Sequence, residues 1–108
     1  MKVLLVLLLA SLAQPKVYIA DKHRHPGSPQ QVAALSKSCP AITIVGTANN
    51  VDFAVVWDSK TWEQTSWGGH QQEWFIYNSA GEVVASGVAH KMSNASKDIC
   101  KAIAKTSK

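Results

Sequence analysis

The chain has 108 residues, 46% of them hydrophobic and 17% charged, with a formal net charge of +4. That length fits one domain and excludes a multi-domain enzyme or a two-lobed binding protein. The apolar content excludes a disordered chain. The positive charge is small and scattered, and Arg24 is the only arginine, which excludes a nucleic-acid partner held through phosphates.

Residues 1–13 differ from the rest. They hold 11 hydrophobic residues and six of the seven leucines, and Leu35 is the only leucine beyond them. Lys2 supplies a positive start, Val3 to Leu9 an apolar run, and Ser11-Leu12-Ala13 the small residues a signal peptidase needs. The run falls well short of the roughly 20 residues of a membrane-spanning helix. The pattern predicts a signal peptide over 1–13, removed after Ala13 to leave Gln14 first, and a single domain over 14–108. The mature chain is expected to be secreted or periplasmic, with no stable membrane span.

The predicted elements then follow in chain order. Lys16 to Ala20 reads as a strand, and His23-Arg24-His25-Pro26-Gly27 as a loop, since Pro-Gly breaks regular structure. Ser28-Pro29-Gln30-Gln31 opens a helix, with Ser28 as N-cap, Pro29 in the first position and Gln31 closing a capping box. Val32, Leu35 and Cys39 give it one apolar stripe, and Pro40 stops it. Ala41 to Val45 is a β-branched strand. From Phe53 the period becomes two: Phe53, Val55 and Trp57 share one face, while Ala54, Val56 and Asp58 share the other. Trp74 to Tyr77 and Val83 to Val88 form a hairpin about the turn Asn78-Ser79-Ala80-Gly81. The last helix is expected to start at Ser93 or Asn94 as its cap, with Ala95, Ile99, Ala102 and Ile103 as its apolar stripe. Asn94-Ala95-Ser96 matches a glycosylation sequon, read here as part of that cap.

A parallel crossover followed by an antiparallel meander predicts an α+β fold. It is a two-layer sandwich in which a mixed, mostly antiparallel sheet of about five strands carries two helices on one face. A domain this small is marginal without help. An exported chain with two cysteines allows one intramolecular disulfide, Cys39–Cys100. Closing a loop of about 60 residues stabilises by roughly 4 kcal/mol on the chain-entropy account. The bond requires the two helices to lie side by side.

The segment 59–73 is long for a hairpin connection and carries Trp62 and Trp67 among polar residues and Gly68-Gly69. Indoles in such a loop either cap the core or form a recognition surface. Trp62, Trp67, His70 and Asp58 are the candidate binding residues, for a protein, small-molecule or glycan ligand. His23 and His25 are candidate metal ligands, though a loop does not fix both rings on one side as a strand would. Asp58 and His70 are a candidate acid–base pair for a small hydrolase. No nucleophile, zinc or phosphate-loop motif accompanies them, no cofactor is expected, and the reading leans away from an enzyme. Trp74 and Ile76 face one way and Phe75 and Tyr77 the other, so the uncovered sheet face is a candidate homodimer surface.

The strand FAVVWD, the hairpin WFIYNSAGEVVASG and the closing helix SNASKDICKAI together resemble small exported bacterial α/β proteins of unknown function. The likeness covers roughly residues 40–104. More loosely, the element order is similar to the small α/β domains of envelope-assembly and lipoprotein-accessory proteins. Both resemblances are structural and carry no catalytic or binding residue. The resulting expectation is an exported, disulfide-stapled binding or accessory module that recognises its ligand through the Trp-bearing loop.

Overall fold

The computed structural model describes residues 14–60 and 71–106. Seven elements follow one another: β1 (Lys16–Ala20), α1 (Pro29–Ser38), β2 (Thr43–Val45), β3 (Phe53–Lys60), β4 (Gln71–Asn78), β5 (Val83–Ala89) and α2 (Met92–Thr106). The five strands form one mixed sheet in the order β2-β1-β3-β4-β5. β1 lies parallel to both β2 and β3, while β3–β4 and β4–β5 are antiparallel. With two helices packed on it, this is an α+β sandwich.

Period-two alternation decides which face is covered. Val17 and Ile19 of β1, Phe53, Val55 and Trp57 of β3, and Trp74 and Ile76 of β4 are buried together. Their neighbours Tyr18, Val56 and Tyr77 are half-buried and Phe75 is exposed. The helices close the buried face with Leu35 from α1 and Ala95, Ile99 and Ile103 from α2. Those three recur every four residues, so they stand in one row along the helix. Cys39, the C-cap of α1, is bonded to Cys100 of α2 with their Cα atoms 5.4 Å apart. The staple joins the two helices of one layer, as their side-by-side packing requires.

α1 begins as its sequence dictates. The Ser28 hydroxyl accepts from the Gln31 backbone N–H, and the Gln31 side chain accepts from the Ser28 N–H. α2 does not begin at Ser93 or Asn94. The Ala95 N–H donates to the Lys91 carbonyl, so the helix is under way from Met92, whose side chain packs against the core. Burial of Met92 outweighs the capping preference of the polar residues after it. Ser93 instead lends its carbonyl to the hydroxyl of Ser96, which is fully buried and also bonded to Ser38 across the helix pair.

The hairpin turn is held by Asn78, whose side-chain oxygen accepts from the Ala80 and Glu82 N–H groups, and Gly81 supplies the left-handed backbone at φ +82°. The register then slips between Ile76 and Tyr77, inserting Val84 as an extra residue in β5. This bulge turns Val84 toward the core and leaves Val83 exposed. It also interrupts the outer edge of β5, a common means of blunting an edge strand.

Candidate functional site

Four connections leave the sheet at one end. β1, β2 and β3 finish there, β4 starts there, β5 finishes there, and both helices begin there. In parallel sheets this end is where side chains on loops converge. The candidate residues that fall within the described chain, Asp58, His23 and His25, all lie at it.

Asp21, at the end of β1, organises the loop that follows. One of its carboxylate oxygens accepts the backbone N–H groups of His23 and His25, and its carbonyl accepts from Arg24. The His25 N–H, the largest influence, holds the Asp21 carboxyl below the ordinary carboxylate range against desolvation, with the His23 N–H adding to it. The turn requires Arg24 to adopt a left-handed φ of 67°, a strained state for a residue with a Cβ. Gly27 returns the loop to β1 by donating its N–H to the Ile19 carbonyl.

His23 and His25 emerge exposed from this turn, with ring centroids 6.3 Å apart and planes tilted by 46°. His25 Nδ1 stands 3.4 Å from the second Asp21 oxygen. Among the described residues no three His, Cys, Asp or Glu side chains converge as a metal centre. His90 is exposed just past β5.

Asp58 lies on the face of β3 turned away from the helices, opposite Glu73 of β4. Its carboxylate sits 3.6 Å from Lys22 Nζ, which is largely exposed, so the pair contributes about 0–1 kcal/mol. Trp62, Trp67 and His70 lie outside the described residues, and the Asp58–His70 pair is therefore not placed. The connection is shorter than the sequence suggested. β3 continues through Ser59 and Lys60, and β4 already begins at Gln71. Polar side chains in these extensions disguised them as loop, yet their ladder pairs Ser59 with Gln72 and Lys60 with Gln71.

Beneath this end runs a buried relay that the sequence reading missed. Gln31 donates to the Trp57 carbonyl at 3.1 Å, Trp57 Nε1 donates to the Gln72 amide oxygen at 2.8 Å, and Gln72 donates to the Ser59 hydroxyl at 2.7 Å. Gln31 and Gln72 are both buried. Gln31 thus caps α1 and anchors it to β3. The available signal was period two: Gln72 shares a face with Trp74 and Ile76 and so had to point inward. A hollow of about 520 Å³ lies at the opposite end of the sheet, between Gln14, Asp52, Asn78 and Thr106. It is remote from the histidines and from Asp58.

The turn around Asp21 and the relay brace this end, at which the connections 21–27 and 61–70 leave the sheet, while the disulfide ties the two helices together away from it. The chain matches no protein-family model and no curated protein. The residues alone therefore carry the functional reading.

Proposed function

We propose that the chain is an exported, disulfide-stapled binding or accessory module of the periplasm or extracellular space. The observation that supports this most is the Cys39–Cys100 bond, because disulfides persist in oxidising compartments and are rare in reducing ones. The leader pattern of residues 1–13 agrees with it. No helix among the described residues is long and apolar enough to cross a membrane. Recognition is assigned to the connection bearing Trp62, Trp67 and His70, with Asp58 at its root, because β3 and β4 hold both of its ends at the braced end of the sheet. Fractionation of the full chain tests the reading: recovery outside the cytoplasm, beginning at Gln14, is expected, and retention inside at full length refutes it. Substituting Trp62 and Trp67 by alanine tests recognition, with loss of a captured ligand at unchanged melting temperature expected. A fall in melting temperature with binding retained would make the indoles core caps.

The sheet face turned away from the helices supports a second reading, a homodimer. Phe75, Val83 and Val88 are exposed on it, and Tyr18, Val56 and Tyr77 are half-buried around them. Lys16 stands at one end of the face and Asp58 and Glu73 at the other. Two copies related by a twofold axis that crosses the strands set base against acid at both ends. Sedimentation at high micromolar concentration is expected to show a dimer that weakens with salt, and a clean monomer refutes it.

A further inference from the structure

Residue 14 is a glutamine, and the exported reading places it at the N-terminus once residues 1–13 are removed. We propose that Gln14 of the mature protein closes to pyroglutamate, so that the exported chain carries a blocked, uncharged N-terminus. The inference rests on the exported reading and adds to it a specific modification site.

The chemistry needs no partner. The neutral α-amine nitrogen attacks the side-chain amide carbon of the same residue and forms a new nitrogen–carbon bond, closing a five-membered lactam. The bond from that carbon to Nε2 breaks, and the nitrogen leaves as ammonia, taking up a proton given by the amine. An α-amino group has an ordinary pKa of about 7.7–8.0, so a useful share is neutral near pH 7. Nucleophile and electrophile belong to one residue, which supplies the proximity that an intermolecular reaction lacks.

The structure prepares both sides of this step. Gln14 is exposed, so its amine and its departing ammonia both meet solvent. Its chain is fixed immediately afterwards: the Pro15 carbonyl accepts from the Thr43 N–H at 2.9 Å, and the Lys16 N–H donates to Asp52 at 2.7 Å. The Thr43 hydroxyl donates to Gln14 Oε1 at 3.1 Å. That oxygen gains negative charge as the amine adds, so a donor already aimed at it favours the addition. Thr43 is accordingly a positioning residue, acting on the carbonyl through one hydrogen bond. Closure deletes the terminal positive charge and the free amine that aminopeptidases grip, a protection suited to a compartment shared with secreted proteases.

The test is mass spectrometry of the N-terminal peptide from full-length protein that has been expressed, exported and then incubated at neutral pH. A peptide beginning at residue 14 and lighter by one ammonia is expected, with Gln14→Asn keeping its ammonia because a four-membered ring does not form. Thr43→Val is expected to slow closure roughly three- to ten-fold, the worth of one hydrogen bond. An unchanged rate in that variant overturns the part given to Thr43. A peptide beginning at Gln14 that keeps its ammonia overturns the proposal and leaves the exported reading standing. A chain that begins elsewhere overturns both.

Discussion

Replacing Gln72 by leucine removes the acceptor that Trp57 Nε1 has among the described residues, in a side chain with no exposed surface. The relay loses two bonds, but they are unequal. Ser59 is exposed and regains its partner from water, whereas the indole N–H belongs to a fully buried side chain. A buried donor left unpaired costs about 1–3 kcal/mol. In a domain of this size each kcal/mol moves the melting temperature by about 4–8 °C, so Gln72→Leu should lower it by roughly 4–24 °C. Trp57→Phe alone strands the Gln72 oxygen and opens a void. The double variant removes donor and acceptor together, so its loss should fall short of the summed single losses by about 1–2 kcal/mol. Urea unfolding followed by far-ultraviolet circular dichroism measures all four corners without relying on tryptophan emission. Strictly additive losses, or a Gln72→Leu protein within about 0.5 kcal/mol of the parent, would show that the amide does not serve the indole.

Three further outcomes follow from single positions. Gly87→Ala places a Cβ 2.5 Å from Trp74 Cζ2, so the indole must shift within the core, and thermal unfolding should show a loss of about 1–3 kcal/mol. Arg24→Gly relieves the left-handed strain of the turn and should stabilise by roughly 1 kcal/mol in the same assay; a loss instead would mean that the arginine side chain holds the loop. Asp21 is held below its ordinary range in the folded state, so its contribution is complete above the unfolded carboxylate pKa and fades as pH falls through the lower folded value. Protection of the His23 and His25 amides, taken as the observed exchange rate relative to the intrinsic rate at each pH, should therefore fall on acidification in the parent, and Asp21→Asn should remove much of that pH dependence.

The sequence specified most of this fold because its signals are local. The capping box at Ser28 and Gln31, the alternation through Phe53, Val55 and Trp57, and the Asn78–Gly81 turn each act within a few residues, and each appears as read. What escaped depends on distant partners. Period two turns Gln72 inward, but the indole it serves belongs to Trp57 on another strand, and nothing adjacent to Gln72 announces that partnership. Met92 enters the last helix early because the core receives it, overriding the caps that follow. The strand ends at Ser59, Lys60 and Gln71 were polar, so period two faded before the ladder did. For the site, Asp58 and the two loop histidines fall at one end of the sheet, as connections at strand ends must. The salt bridge from Lys22 to Asp58 spans separate elements and left no mark in the sequence.

Intact mass of the exported protein, alkylated before and after reduction, bears on the compartment and the staple at once. A chain beginning at Gln14, with no alkylation before reduction and two after it, is expected. That outcome accompanies a loss of roughly 4 kcal/mol of stability on reduction. A chain that retains residues 1–13 and alkylates at Cys39 and Cys100 without reductant would contradict both the compartment and the staple that joins the helix layer.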